Sequence, residues 1–393
     1  MEGIKINISE LKKIVAKLNL AVEKSKINPK SGWIEIETLG DTMSIKVANY
    51  DYYLEASVPI ETSNELEENG ENVSLHATVV AETFIPLVSK LDDEYVTLSE
   101  RLNALILNTS KSEYTFPIIK ELGKVKSVDS IEFNQTRCRR ASISGKDLAS
   151  VADTNAKGLL DSIFSKDIQQ FIYVDNKGAL TFTENIYVND WAKPYEDEFK
   201  FLLNATQAKL VKVFEEYGND SDYVDIAIEE SEDYESSHKV QLSYGKEIKL
   251  VLITQSMQMV EKFPAIKLRQ LASAVSETHA IIDKKAFEKA LSRLMVFDKK
   301  FDITVLNYSK LVFEEDCVKL VSIKNKNYEV VPYVSGTNTS EHESIIRFAD
   351  IVAQLKAIQS KEIDISYGDS PAIVINSDGL KQLIPEIRQV ERV

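Results

Sequence analysis

The chain has 393 residues, with 47 basic and 62 acidic side chains and a formal net charge of −15 at pH 7. This length predicts two or three domains. No apolar run approaches the roughly 18 residues that cross a bilayer, and the N-terminus has no apolar signal core, so we expect a cytoplasmic protein. The two cysteines, Cys138 and Cys317, lie far apart, which argues against a disulfide framework or a thiolate metal site.

Motifs that carry chemistry are missing from the sequence. It contains no P-loop, GxSxG, GxGxxG or HExxH pattern. The four histidines, His76, His238, His279 and His342, have no metal-ligand spacing. The densest carboxylates fall in two runs, at residues 61–72 and 229–237, which are typical of solvated loops. We therefore expect a binding or architectural protein without a catalytic residue, metal or cofactor, although an enzyme that uses dispersed carboxylates stays an alternative.

The first predicted element is a helix within residues 8–26. Its apolar residues are spaced three and four apart, which places them on one face of a helix. They are Ile8, Leu11, Val15, Leu18 and Val22. Asn7 or Ser9 can cap the helix by accepting from free N–H groups of its first turn.

The same design recurs in two later helices, which begin after Ser144 and Asp283. Counted from Asn7, Ser144 and Asp283, the apolar residues at the fourth following position are Leu11, Leu148 and Phe287. Those at the eighth position are Val15, Ala152 and Leu291. The three starting points are 137 and 139 residues apart. Similarity at a fixed period indicates an internal repeat.

A second helix is predicted in each repeat, after a short apolar strand. We align the three copies on the triplets His76-Ala77-Thr78, Asn204-Ala205-Thr206 and Phe348-Ala349-Asp350. Pro86 should kink or shorten the first copy. Between the helices the apolar pattern alternates, which predicts strands, with hairpin turns at Gly40-Asp41 and at residues 176–178.

The predicted fold class is therefore α+β, with three tandem domains that each pack two helices on antiparallel sheets. We place the domains at residues 1–125, 126–266 and 267–393, because the boundaries fall in extended segments that contain Pro117 and Pro264. Three unrelated α+β domains are the alternative, and the matching helix positions make it less attractive.

Charge is segregated between these helices and the rest of the chain. The segments 8–26, 283–300 and 347–361 carry +3, +3 and +2, and the other three helical segments are neutral, which leaves −23 on the remainder. A single lysine face is most simply explained by solvation, but this segregation favours a surface for duplex DNA backbone, without sequence preference. The candidate DNA contacts are Lys12, Lys13, Lys17, Lys24, Lys26, Lys209, Lys212, Lys285, Lys289, Arg293 and Arg347.

Four segments, taken in order, resemble bacterial-type sliding clamps, the β subunit of the replicative DNA polymerase. The first, ELKKIVAKLNLAVEKSKINPKSGWIEIE, is similar to the family's first helix, turn and strand. SIEFNQTRCRRASISGKDLASV resembles the crossing into the second domain, and EKFPAIKLRQLA resembles the end of that domain. LKQLIPEIRQV resembles the C-terminal tail. With three repeats, the resemblance covers essentially the whole chain.

This resemblance implies three clamp-like domains in a head-to-tail dimeric ring, with the helices lining a pore around double-stranded DNA. The implied function is that of a DNA polymerase processivity factor, which tethers the replicative polymerase and is opened by a clamp-loader ATPase. A β-rich repeat scaffold that does not act on DNA is the alternative.

The resemblance also implies a partner-peptide pocket and a dimer interface. The family's pocket strand reads Thr-Asp-Gly-His-Arg-Leu where this chain has TENIYV, so the peptide preference should differ. The pocket residues carried over are Thr183, Glu184, Ile186, Val188, Pro264, Leu268, Arg269, Ile384, Pro385, Ile387 and Arg388. Tyr114 and Phe116 on an edge strand would meet Met295 and Val296 of the partner chain, and ordinary core is the alternative for these four.

Overall fold

The structure is a computed structural model. It describes residues 3–23, 28–61, 74–159, 167–183, 187–217, 223–229, 233–273, 276–298, 309–323, 326–368 and 371–387.

The first repeat contains eight described strands and two helices. In chain order they are β1 Ile4–Asn7, α1 Ile8–Leu18, β2 Trp33–Leu39, β3 Thr42–Ala48, β4 Tyr52–Pro59, β5 His76–Val80, α2 Ala81–Lys90, β6 Tyr95–Arg101, β7 Ala104–Asn108 and β8 Glu113–Pro117. A small hairpin follows, with strands β9 Lys120–Glu121 and β10 Lys124–Val125.

The second repeat has the same order of elements. They are β11 Cys138–Ser144, α3 Gly145–Gly158, β12 Ile172–Asp175, β13 Gly178–Phe182, β14 Val188–Ala192, β15 Lys200–Leu203, α4 Ala205–Leu210, β16 Tyr223–Glu229, β17 Ser237–Tyr244 and β18 Ile248–Ser256. Two short helices follow, α5 Met257–Lys262 and α6 Ala265–Ala272.

The third repeat shows this order once more. Its elements are β19 His279–Asp283, α7 Lys284–Asp298, β20 Ser309–Phe313, β21 Cys317–Ser322, β22 Tyr328–Asn338, β23 His342–Ile346, α8 Phe348–Leu355, β24 Glu362–Ser366, β25 Ala372–Ser377 and β26 Leu380–Pro385. The predicted α+β class with antiparallel sheets, and the threefold repetition, are confirmed.

Each repeat builds two four-stranded antiparallel sheets, which we call the A sheet and the B sheet. The A sheets have the orders β1-β6-β7-β8, β11-β16-β17-β18 and β19-β24-β25-β26. The B sheets have the orders β5-β2-β3-β4, β15-β12-β13-β14 and β23-β20-β21-β22. Buried side chains alternate with more accessible ones along the C-terminal halves of β4 and β18, because successive residues point to opposite faces.

The A sheet of one repeat continues the B sheet of the repeat before it. Strand β18 pairs with β4, and Lys249 lies opposite Glu55. Strand β26 pairs with β14 in the same way, and Lys381 lies opposite Asp190. The last strand of an A sheet therefore adds to the fourth strand of the preceding B sheet, through antiparallel pairing at both junctions.

The chain divides into two compact units, residues 1–149 with 209–256 and residues 150–208 with 257–393. The middle repeat contributes its A sheet to the first unit and its B sheet to the second. The core of the first unit includes Leu11, Leu54 and Phe84, all fully buried, and that of the second includes Phe287 and Ile365. The domain boundaries near residues 125 and 266 stay a prediction.

Local predictions for the first repeat can be compared with its elements. The Asn7 side chain caps α1, because its Oδ1 accepts from the backbone N–H groups of Ser9 and Glu10. The helix ends at Leu18, well before the predicted end at residue 26. The turn at Gly40-Asp41 joins β2 to β3 as predicted.

The second helix of the first repeat begins later than the sequence predicted. The alignment on His76-Ala77-Thr78 is wrong, because this triplet lies inside β5 and the helix begins four residues beyond Ala77, at Ala81. Strand β5 extends further along the chain, to Val80, than the sequence pattern predicted. In the other repeats the aligned alanines, Ala205 and Ala349, do lie in the first turn of α4 and α8. Helix α2 continues for four residues after Pro86.

Among the described residues, no helix is long and apolar enough to cross a membrane. The same part of the chain contains no group of three or more histidine, cysteine, aspartate or glutamate side chains placed to hold a metal ion.

Candidate nucleic-acid interface

The lysines of α1 differ in how available they are. Lys13 is exposed and pairs with Glu10, one turn earlier, at 2.9 Å. Lys12 is half-buried and lies 3.7 Å from the carboxylate of Asp92. These two charges are at the surface and can face a polyanion.

Lys17 was expected on the free face of this helix, and the structure corrects that expectation. Its side chain is only 10% exposed and its Nζ lies 3.1 Å from the Glu216 carboxylate. The ammonium donates to the Tyr217 hydroxyl at 3.0 Å and also lies 4.3 Å from the centre of that ring. Helix α1 packs on the segment that follows α4, and the Lys17 side chain is buried there. Its charge is paired within its own unit and is not available for DNA.

Helix α7 presents the clearest cationic face. Lys285 and Lys289, one turn apart, are both exposed, and neither forms an ion pair with any described carboxylate. Asp283 caps this helix, with its Oδ1 2.6 Å from the backbone nitrogen of Ala286, which fixes where the face begins. Arg293 continues the stripe, but both its Nε and Nη2 donate to Glu329 at 2.7 Å, so its charge is compensated.

The other candidate DNA contacts are more varied. Lys209 is exposed on α4. Lys212 and Arg347 are partly buried and each has a further polar or ionic interaction. Lys24 and Lys26 lie outside the described residues. The available positive charge is therefore concentrated on α7, with smaller contributions from α1 and α4.

The candidate pocket residues meet around an apolar cluster in the second unit. Val188 of β14 and Leu268 of α6 are both buried there. Helix α6 contacts both β14 and β26, which brings these residues beside the strand that contains Ile384 and Pro385. Most of the cluster was not predicted from the sequence, including Tyr173, Phe263 and Leu383. Stacking of Phe263 on Tyr173, with ring centres 4.9 Å apart, fixes α5 and α6 over the sheet.

The remaining pocket candidates lie at its margins. Thr183 donates its backbone N–H to the Tyr187 carbonyl, and its buried hydroxyl has no hydrogen-bond partner among the described residues. Pro264 directly precedes α6, and the backbone N–H of Ile387 donates to the Ile345 carbonyl. Ile384 is fully buried in the sheet, so its side chain is part of the core of the second unit. Glu184, Ile186 and Arg388 lie outside the described residues.

Arg269 is held by two carboxylates beside this cluster. Its Nη1 and Nη2 donate to Asp175 at 2.7 and 2.9 Å, and its Nε lies 3.4 Å from Asp190. Burial raises the pKa of Asp190 above its usual range, although the positive charge of Arg269 opposes the shift. The arginine is therefore committed to internal ion pairs, and its charge is compensated within the second unit.

The four candidate interface residues differ in exposure. Phe116 is only 6% exposed and packs edge-to-face on Phe84 with ring centres 5.3 Å apart, so it belongs to the core of its own unit. Tyr114 is half-buried on β8, which is an edge strand as predicted. Met295 is half-buried near the end of α7, and Val296 is 63% exposed.

No protein-family model and no curated protein sequence matches the chain. Solved structures do match along nearly its whole length. The β subunit of DNA polymerase from Streptococcus pyogenes aligns with a TM-score of 0.75 at 15% identity, over 98% of this chain and 100% of that one. This chain has the sliding-clamp fold.

Other sliding clamps align similarly. The β subunit of DNA polymerase III from Thermotoga maritima gives a TM-score of 0.72 at 17% identity, over 98% of this chain and 99% of that one. The sliding clamp from Bacillus subtilis gives 0.70 at 16% identity, over 98% and 100%. Such full-length agreement at so low an identity means that the clamp fold is retained while most side chains have changed.

Proposed function

We propose that two copies of this chain close head to tail into a sliding clamp that encircles duplex DNA and acts as a processivity factor. The ring tethers a replicative polymerase and is placed on DNA by a clamp-loader ATPase. It performs no catalysis of its own. Its binding to DNA is topological and independent of sequence, so weak contacts with the phosphate backbone suffice.

The observation that supports this proposal is a pair of strands whose edges stay unpaired when the pairing seen between repeats is followed along the chain. We call that pairing the junction rule. At both internal junctions, the last strand of an A sheet pairs with the fourth strand of the preceding B sheet. Strand β8 is the last strand of the first A sheet and ends the order of that sheet. On β22, the fourth strand of the third B sheet, residues 328–332 pair on one side only, with β21, among the described strands.

Applying the junction rule once more pairs β8 of one copy with β22 of the second copy. Two different surfaces meet in this contact, so the two copies are arranged head to tail. Both open strand edges are paired only if the two copies close into a ring. The exposed apolar side chains near β22 fit this role. Val296, Phe297, Tyr328 and Val330 are between 49% and 63% exposed. Helix α7 contacts β22, and a contiguous exposed apolar patch commonly marks a protein interface.

Contacts with DNA would come from the exposed lysines, above all Lys285 and Lys289. Their charges are uncompensated in the described part of the chain, so each can release a counterion when it meets a phosphate. The acidic remainder of the protein repels DNA, which keeps unspecific binding elsewhere weak. Partner proteins would insert a short peptide at the apolar cluster around Val188 and Leu268.

Native mass tests the ring in its simplest form. The proposal predicts a dimer of about 89 kDa, twice the chain mass of 44.3 kDa. Thr115 is exposed on β8 and lies two residues before Pro117. Its equivalent on β26 is Leu383, which lies two residues before Pro385 and is buried. We expect Thr115→Glu to shift the protein toward the monomer, because it places a charge in the junction. Thr206→Glu, at an exposed position on α4, is the matched control and should leave the dimer intact.

Topology tests the action on DNA. After loading by a clamp loader, the ring should stay on nicked circular DNA and be lost when a restriction enzyme linearises the circle. Equal retention on both forms would contradict encirclement. A stable dimer without any topological retention would instead favour a β-rich scaffold that does not act on DNA.

A further inference from the structure

Two exposed leucines occupy turns where leucine is unfavourable. Leu102 and Asn103 form the turn between β6 and β7, with φ values of 50° and 66°. Leu122 and Gly123 form the turn between β9 and β10, with φ values of 51° and 80°. Two-residue hairpins of this kind prefer asparagine, aspartate or glycine, because positive φ is strained for a residue with a bulky side chain. We call Leu102 and Leu122 the leucine tips.

The leucine tips also carry the most exposed large apolar side chains of the first unit. Leu102 is 92% exposed and Leu122 is 101% exposed. The two turns are tied together, because Lys120 donates from Nζ to Asn103 Oδ1 at 2.7 Å. A strained backbone and full apolar exposure, found together at two adjacent turns, indicate a function that offsets both costs.

Repeat equivalence identifies what the tips would contact. In the first A sheet Ala104 pairs with Pro117, and in the third A sheet Ala372 pairs with Pro385. Ala104 and Ala372 are therefore equivalent positions. Ala372 is 7% exposed and packs in a cluster with Val188, which belongs to the preceding B sheet. The end of an A sheet beside this alanine thus packs against the B sheet that it joins.

The corresponding corner of the first A sheet contains Ala104 and, two residues earlier, Leu102. The sheet that it would join is the third B sheet of the second copy. Side chains alternate along β22, with Val331 buried and with Tyr328, Val330 and Val334 exposed at 60%, 49% and 53%. These three residues form an apolar face on that strand.

We infer that the leucine tips of one copy pack on the apolar face of β22 in the second copy, as a hydrophobic lock beside the paired strands. This inference rests on the proposed ring and adds a contact that strand pairing alone does not need. Leucine at positive φ weakens the fold of the single chain, but it places an apolar side chain at the tip of a turn, where it can reach the partner. The strain is therefore offset only in the dimer.

The test uses the double variant Leu102→Asn/Leu122→Asn in the full chain. Asparagine tolerates positive φ and leucine does not, so the monomer should melt at an equal or higher temperature. The dimer should nevertheless dissociate at least about tenfold more readily, since two buried leucine side chains are lost. A role confined to the fold of the single chain would move both quantities in the same direction. Sedimentation equilibrium and thermal melting measure them.

Leu39→Asn is the matched control, because Leu39 is 53% exposed at the end of β2, away from β8 and from both tips. It should leave the dissociation constant within about twofold. A double variant whose dimer affinity equals that of the unaltered protein would overturn the inference while the ring stands. A monomeric unaltered protein would overturn the ring itself. Val330→Asn combined with the tip variants should be less than additive, because both changes remove the same contact.

Discussion

The lysines of the helices should not contribute equally to DNA binding, and this difference gives the sharpest test of the proposed pore. Lys285 and Lys289 are exposed and unpaired among the described residues, whereas the side chain of Lys17 is 10% exposed and bound to Glu216 and Tyr217. Neutralising the first two should remove two phosphate contacts from each copy, and therefore four from the proposed ring. Neutralising the third should remove none.

The expected magnitude follows from counterion release. Each lost contact with duplex DNA lowers the slope of log affinity against log salt by about 0.9, so Lys285→Gln/Lys289→Gln in both copies of the ring should lower it by about 3.6. Between about 50 and about 200 mM salt, the unaltered protein should therefore lose about 150-fold more affinity than the double variant. Lys17→Met should leave the slope unchanged.

Fluorescence anisotropy of a labelled linear duplex, titrated with protein at several salt concentrations, measures these slopes without a loader. Circular dichroism confirms that each variant is folded. An unchanged slope in the double variant would remove α7 from the DNA surface. A slope lowered as much by Lys17→Met would refute the reasoning from burial.

Four further predictions concern stability and reactivity. Asn7→Ala should cost about 1 kcal/mol in urea unfolding, because it removes the cap of α1. Pro86→Ala should stabilise the protein by about 1–3 kcal/mol in the same assay, because it restores a hydrogen bond inside α2. Arg269→Met should destabilise it by about 3 kcal/mol, because two mostly buried carboxylates lose their cation, and a gain in stability would contradict this. A thiol reagent at pH 8 should modify Cys138 much faster than Cys317, since Cys317 is 8% exposed and burial raises its pKa to about 11.

The sequence predicted the repeated helices well because their apolar spacing is local information. Leu11, Leu148 and Phe287 are all buried at the equivalent positions from which the repeat was inferred. Asn7 caps its helix as predicted, and Asp283, at the equivalent position of the third repeat, caps α7. The order of strands in the sheets could not be obtained in this way, because pairing such as that of β18 with β4 joins residues nearly 200 positions apart.

The fate of Lys17 illustrates the same limit at a single side chain. Its position on α1 indicated a solvated face, and the helix does form there. What buries it is Tyr217, which is 200 residues away in the sequence. The pattern of a helix shows which faces it has, but the face that a distant segment covers depends on tertiary packing.

The leucine tips show the opposite case, where the local sequence is at odds with the local structure. Leu-Asn and Leu-Gly do not have the composition of a typical tight turn, yet both turns form with positive φ. A mismatch of this kind indicates that something other than the turn selected the residue. From the sequence alone, Leu102 reads as an ordinary apolar residue near a strand.

The two kinds of interaction in this fold differ in how much they depend on side chains. The junctions between repeats are made by main-chain hydrogen bonds, which almost any residue can supply. A peptide pocket depends on the shape and charge of particular side chains, and here Arg269 is committed to Asp175 and Asp190. Sequence change is therefore tolerated at the junctions and would alter the proposed pocket. This accounts for a clamp fold that aligns over 98% of the chain at 12–17% identity, and it leads us to expect an altered peptide preference at the segment TENIYV.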